Sequence, residues 1–276
     1  MNKHEAVTSK FHELHESGCF VLPNPWDVGS TIYLEHLGFK AVATTSAGFA
    51  FTKGLPDDPE LIPREMMLEH FREIAAATTL PVNADFQNGF ADDPEEVAES
   101  VRLCVATGVA GLSIEDNTAR KDHPLYDFPL AVERIKASRA AIDASGIPVV
   151  LTARCEAVLV GDPGPLRTSI DRLVAFADAG ADCLYAPGVT EPDEIAEIVK
   201  AVSPKPINVL AFTKNCHLTV NQLADLGVRR ISVGSSLARA AWGGLIRAVE
   251  EIQASGSFES FASAATFDLN NLFRNR

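Results

Sequence analysis

Short apolar runs bounded by glycine, proline or acidic residues recur along the whole chain. Eight are rich in β-branched and small side chains, at 19–22, 41–45, 81–84, 110–114, 148–153, 183–186, 207–211 and 230–233. Most are continuous rather than alternating, the pattern of parallel strands covered on both faces. Between them lie segments with apolar positions three and four apart, among them 94–107, 130–144, 167–179 and 191–202, which predict helices. Several open on acidic or proline caps, as in Asp92-Asp93-Pro94 and Glu191-Pro192-Asp193. Several close on Gly108, Gly180 or Gly227 just before the next apolar run.

Eight strand–helix units predict an α/β chain folded as a single (β/α)8 TIM barrel, and 276 residues is a suitable length for one. An open doubly wound sheet fits less well, because no GxGxxG or GxxxxGK[ST] follows any run. No Gly/Ser-rich or Pro-rich linker interrupts the sequence, so 1–276 is expected to be one domain. After the eighth unit, 258–273 reads as an extra C-terminal helix. Its apolar positions Phe261, Ala265, Leu269 and Leu272 resemble a docking surface for the barrel or a neighbouring subunit. The extension 257–276 is expected to pack on a neighbour in a homodimer or homotetramer.

Composition narrows the function. With 46% hydrophobic and 22% charged residues the chain can bury a large core. No apolar run approaches the roughly 18 residues that span a bilayer, and the charged N-terminus lacks the apolar segment of a secretory signal. Five scattered cysteines without a CxxC pair suit reduced thiols in the cytoplasm rather than disulfides or zinc. A formal charge of −13 argues against nucleic acid and anionic membranes as partners. It also means that a carboxylate ligand needs a local source of positive charge.

In a β/α barrel the chemistry sits at the carboxyl ends of the strands. The residues at or just past the runs include Asn24, Asp27, Ser46, Asp85, Glu115, Asp116, Arg154, Glu156 and Asn208. Asp85 and Glu115 end consecutive strands, so their carboxylates can converge on a hard cation such as Mg2+ or Mn2+. Arg154 can grip a substrate carboxylate through its planar fork, or can serve as a salt bridge to Glu115 or Glu156. Small residues at Ser46, Ala47 and Gly48 would let backbone N–H groups approach an anion. Asn208 joins these as a substrate-binding position. Strand alternation turns Cys155 away from the axis if Arg154 points inward. His123 and His217 read as surface residues, and Trp26 and Trp242 as packing. The Val233-Gly234-Ser235-Ser236 turn resembles a barrel phosphate cradle but has no basic partner in sequence.

Several stretches, in barrel order, resemble the isocitrate lyase / phosphoenolpyruvate mutase superfamily. They are Pro23-Asn24-Pro25-Trp26-Asp27, Ser46-Ala47-Gly48 with Gly54-Leu55-Pro56-Asp57, the segment 81–90, Ile114-Glu115-Asp116, Thr152-Ala153-Arg154 and the segment 229–237. The resemblance implies a Mg2+-dependent enzyme that cleaves a C–C or P–C bond through an enolpyruvate-type intermediate. It implies that Ser46, Ala47 and Gly48 bind the substrate carboxylate and 2-oxo oxygen. Asp57, Asp85 and Glu115 would hold or orient the metal and its waters, and Arg154 would pair with substrate. Asp57, Arg154 and Glu115 are the expected catalytic residues.

Three departures stand out. The family's Asp-x-Asp is matched to Asn83-Ala84-Asp85, which puts a neutral amide in place of one carboxylate unless Gln87 and water complete the site. Thr44 replaces an aromatic residue. The loop 117–124 carries no cysteine, where isocitrate and methylisocitrate lyases have an acid of the Lys-x-Cys-Gly-His type, so those two activities are not expected. The expected substrate is a small anionic carboxylate, either an oxaloacetate-like or a substituted malate-like diacid cleaved by a lyase or decarboxylase. A phosphonomutase or phosphonopyruvate hydrolase, with Asn117, Arg120 and Lys121 on the lid, and an inactive acid-binding barrel are the alternatives.

Overall fold

The computed structural model describes residues 3–59, 61–212 and 217–274. Each of the eight runs forms a strand: β1 Phe20–Leu22, β2 Val42–Ala43, β3 Val82–Asp85, β4 Gly111–Glu115, β5 Val150–Arg154, β6 Cys183–Tyr185, β7 Ile207–Leu210 and β8 Arg230–Ser232. They pair in parallel in the order β1-β8-β7-β6-β5-β4-β3-β2. The Ala43 N–H donates to the Pro23 carbonyl and the Asn24 amide to the Thr44 carbonyl, which draws β1 and β2 together and leaves a nearly closed TIM barrel.

The helices follow the chain as α1 Lys3–Glu16, α2 Val28–His36, α3 Ser46–Thr52, α4 Arg64–Ala76, α5 Pro94–Val105, α6 Phe128–Ser145, α7 Pro165–Asp178, α8 Pro192–Val202, α9 Val220–Asp225, α10 Ser236–Ser255 and α11 Leu269–Arg274. Their starts show why the sequence was readable. Asp93 accepts from the Glu95 and Glu96 N–H groups with Pro94 in the first turn of α5. Asp27, one of the polar strand-end residues, likewise caps α2 by accepting from the Ser30 N–H. Among the described residues no helix is long and apolar enough to cross a membrane.

Strand alternation sorts the side chains into two compartments. Val82, Ala84, Leu112, Ile114, Leu151, Ala153, Leu184, Val209 and Ile231 belong to the larger core, under the helices. Cys155 and Cys104 are fully buried there too, as expected of a packing thiol. The barrel floor is a second cluster of Phe20, Leu22, Ala41, Ala43, Ala110, Val150 and Cys183, plugged by Phe11 of α1.

Above this floor lies a polar tier. Arg230, only 2% exposed, donates to Asn208 Oδ1 at 2.9 Å and to Thr152 Oγ1 at 3.0 Å. His15 sits 3.3 Å from the same guanidinium. Burial, then the Arg230 charge, pushes His15 down to about 3, so the imidazole is neutral and can accept from Arg230.

The C-terminal segment departs from the expected single helix. It forms a short 3-10 turn, Glu259–Ser263, and then α11. Ala264 is extended, and Asp268 accepts from the Asn271 N–H to start the new helix, a local bond that competes with continuation. Phe267 packs edge-on to Tyr33 of α2 at 5.3 Å, so part of the tail docks on its own chain. Trp242 also corrects the packing expectation, because it is 44% exposed on α10. Ala238 is the buried residue of that helix, while Leu245, Ile246 and Val249 stand about half exposed beside Trp242.

A contiguous apolar stripe of this kind marks an interaction surface. It is expected to be covered in solution by a second copy, as a dimer or tetramer. Sedimentation of the wild type should give that species, and Trp242→Asp with Ile246→Asp should shift it towards monomer. A 29.6 kDa monomer at micromolar concentration would contradict this.

Candidate active site

The top tier of the barrel is charged. β3, β4 and β5 end in Asp85, Glu115 and Arg154, and the pairing register sets Glu115 beside Arg154 and Arg154 beside Tyr185. The Arg154 guanidinium reaches Asp85 Oδ1 at 2.9 Å, Glu115 Oε2 at 3.2 Å and Glu156 Oε1 at 2.8 Å. It also lies 5.0 Å over the Tyr185 ring. Both alternatives for this residue therefore meet in one place, because Arg154 is a salt-bridge hub that also lines the cavity.

Three carboxylates on one guanidinium leave an excess of acid. Burial works against the Arg154 charge, but Glu156, Glu115 and Asp85 overcome it and hold the group protonated. Burial raises the Glu115 pKa well above the usual carboxylate range; Arg154 opposes this and Glu156 and Asp85 add to it. Glu156 is raised for the same first cause. An ion pair ordinarily lowers its acid; here burial outweighs the shared guanidinium, and the neighbouring carboxylates add to the rise.

Asp85 is aimed by two contacts. Its Oδ2 accepts from the Ser46 N–H at 3.0 Å while Oδ1 faces Arg154. Ser46 Oγ lies 3.4 Å from Asp57 Oδ2, which Gln87 Nε2 approaches to 3.5 Å on the other oxygen. Burial, then the Asp85 charge, raises Asp57. A cavity of about 560 Å3 opens above these groups, lined also by Thr45, Ala47, Asn117 and Ser235. The Asn24 side chain accepts from the Val233 and Gly234 N–H groups, which ties the turn after β8 to β1.

The structure thus gathers Ser46, Ala47, Asp57, Asp85, Glu115 and Arg154 around one cavity. It does not bring Asn208 or Gly48 to that surface. Asn208 is in the tier below, with its amide spent on Ser232 and Arg230. Gly48 is inside α3, where a Cβ would meet Thr45 Cγ2 at 2.5 Å and Trp26 Cβ at 3.0 Å. Asp116 is scaffold: it accepts from the Glu156 N–H at 2.8 Å and pairs with Arg172 at 3.1 Å. His123 lies exposed, 3.4 Å from Asp127.

The amide that matters at the mouth is Gln87, not Asn83. Asn83 lies in the interior beside Gly111, where a Cβ on that glycine would come within 2.7 Å of Asn83 Oδ1. Taken forward from Asp85, an Asp-x-Asp spacing lands on Gln87. That residue turns to φ +48, lines the cavity and carries a buried Oε1 without a partner among the described residues. Tyr185 escaped the sequence reading, although inward alternation from Cys183 would have found it. Burial pushes its hydroxyl up to about 12, so it stays a neutral phenol.

Among the described residues, no three His, Cys, Asp or Glu side chains converge into a ready chelate. The oxygens that face the cavity (Asp85, Asp57, Glu115 and the unpartnered Gln87 Oε1) suit a hard cation that keeps most of its water.

The comparisons with known proteins decide the family. Residues 11–253 match the family model described as phosphoenolpyruvate phosphomutase. The chain belongs to that family. A solved lyase/mutase candidate from Burkholderia cenocepacia J2315 is 46% identical, with a TM-score of 0.95, covering 99% of this chain and 97% of that one. An uncharacterised protein of Mycobacterium tuberculosis is 35% identical over 82% of this chain and 81% of its own length. The 2-methylisocitrate lyase of Escherichia coli is 29% identical over 74% of this chain and 72% of its own. The protein is thus an enzyme of the isocitrate lyase/phosphoenolpyruvate mutase superfamily.

The raised Glu115 carboxyl sets a stability expectation. The folded state holds this proton more tightly than the unfolded chain, so stability falls as pH rises from the ordinary glutamate range through the higher folded value. Glu115→Gln should therefore melt higher than wild type at pH 8, and the gain should vanish below about pH 4. Equal melting temperatures at pH 8, or a gain only in acid, would contradict this account of the mouth.

Proposed function

We propose that the protein is a Mg2+- or Mn2+-dependent carbon–carbon lyase or decarboxylase acting on a small 2-oxo or 2-hydroxy dicarboxylate. The observation that carries this is Arg154 among Asp85, Glu115 and Glu156 at the floor of an open cavity. A raised Glu115 spends less of its charge on the guanidinium, which leaves the fork able to receive a substrate carboxylate. Ser46 Oγ and the Ala47 N–H edge the same cavity as further donors.

For a 2-hydroxy diacid, Asp57 takes the hydroxyl proton, and the oxygen electrons form a carbonyl as the C2–C3 bond breaks. The bonding pair passes to C3 and spreads into its carboxylate as an enolate, beside Arg154. Glu115, whose carboxyl burial holds above the usual range, is the group beside this carbon that returns a proton to it. When bound, the divalent cation supplies further positive charge at the developing enolate, with Asp85 as its ligand and Asp57, Glu115 and Gln87 ordering its waters.

The phosphonate alternative has less support. Of the lid residues that could grip a phosphonate, Asn117 lines the cavity, but Arg120 is turned to Asp92 at 3.1 Å and neither it nor Lys121 lines it. Free thiols at Cys19, Cys104, Cys155 and Cys183 accord with a cytoplasmic setting.

A turnover screen of 2-oxo and 2-hydroxy diacids and phosphonopyruvate, with and without Mg2+, tests the proposal. Metal-dependent release of a 2-oxo acid from a diacid is expected. Turnover of phosphonopyruvate alone, or of nothing, would refute it. Calorimetric Mn2+ affinity should fall by roughly 10- to 100-fold or more in Asp85→Ala, and an unchanged affinity would remove Asp85 as a ligand.

A further inference from the structure

The cavity at the mouth has two unlike halves. The chain at the ends of β2 to β5 supplies Ser46, Asp85, Glu115, Arg154 and Glu156, with Asp57 and Gln87 beside them. The chain beyond β5, β6 and β7, together with the last residue of β7, Leu210, supplies Leu159, Pro187, Leu210 and Phe212. These three strands are neighbours in the ring, so the second group gathers on one side of the cavity it shares with the acids. Leu159 is 55% exposed, an apolar side chain held open to the cavity. Leu210 and Phe212 are half-buried.

Two loop glycines seat this wall. Gly188, at φ +94, would drive a Cβ to 2.7 Å from Val158 Cγ1 and 3.1 Å from Leu159 Cδ2. Gly234, at φ +53, would bring one to 3.2 Å from Leu210 Cδ1. Both backbones lie in the left-handed region that side chains resist, so the positions give room and conformation together.

Charge decides what the wall can receive. Arg154 is the only Lys or Arg among the described residues that line the cavity, and it stands in the acidic half. A second anionic group on the apolar side would lose water and meet no Lys or Arg there among the described residues, and it would share the cavity with Asp57, Asp85, Glu115 and Glu156. An alkyl group there gains by leaving water. The cavity, about 560 Å3, lies within the ~300–1,000 Å3 range that accommodates drug-sized ligands, so a four-carbon diacid leaves much of it empty.

We infer that Leu159, Leu210 and Phe212 are specificity-determining residues that receive an uncharged alkyl arm of the substrate, longer than a methyl group. The inference rests on the proposed lyase reading only for the acid end of the molecule.

The test uses unreactive probes. Calorimetry with succinate, methylsuccinate, ethylsuccinate and butylsuccinate, in the presence of Mg2+, should show affinity rising by about fourfold per methylene. Leu159→Ser, which alters an exposed side chain and leaves folding intact, and Phe212→Ser should each flatten that gradient. A flat or falling series in the wild type, no binding by any of the four, or a gradient unchanged in both variants would overturn the inference. The two readings fail separately. A gradient without metal-dependent turnover of any diacid upholds the wall and sinks the lyase reading. Turnover of unsubstituted diacids beside a flat series does the reverse.

Discussion

One guanidinium has to serve three carboxylates, and the mouth of the barrel is arranged around that imbalance. Buried acids without compensation are costly, and removing the shared cation would leave Asp85, Glu115 and Glu156 facing one another. The neighbours divide the load. Ser46 donates its N–H to Asp85, and Asp116 holds the backbone of Glu156 while Arg172 neutralises Asp116. Glu115 has no such helper among its described contacts, and burial holds its carboxyl well above the usual range instead. The imbalance that costs stability supplies a proton carrier next to a group that can bind an anion. This is a common compromise in active sites.

The tiers beneath explain how the scaffold tolerates it. The floor is apolar and plugged by Phe11, while the layer above is polar and carries the Arg230 charge on neutral partners. That cation lies on the barrel axis side of the sheet, below an acidic mouth. The larger apolar core lies under the helices, on the other side of the strands from these tiers. Chemistry and packing are thereby separated along the strands by alternation alone.

Much of this was legible in the chain. Continuous apolar runs between glycine-closed helices specified the strand number, because parallel strands covered on both faces leave no other pattern. Reading the residue past each run found Asp85, Glu115 and Arg154, since barrel geometry sends those ends to one face. The failures share a physical origin in depth and direction. Asn83 and Asn208 point inward like the site residues but lie below the mouth. Gln87 reaches the mouth only because its backbone turns to φ +48, a feature that propensity does not announce. The apolar wall was missed because Leu210 and Phe212 look like strand and core residues until the ring order sets them opposite the acids. The tail looked like one helix because its apolar spacing was sound, but Asp268 caps a new start within it.

The central claim is that the Arg154 fork, and not merely its charge, works on the substrate. The direct measurement is kcat/KM and melting temperature together for Arg154→Lys, on the best-turned-over diacid. Lysine keeps one positive charge among the acids but cannot present a planar pair of donors. Loss of such a contact costs roughly 2–5 kcal/mol, which is about a 30- to 5,000-fold fall in kcat/KM at 1.36 kcal/mol per decade. The account predicts a fall in that range with only a small drop in melting temperature. A lysine variant that melts much earlier yet keeps near-normal kcat/KM would show that Arg154 is scaffold, and would contradict it.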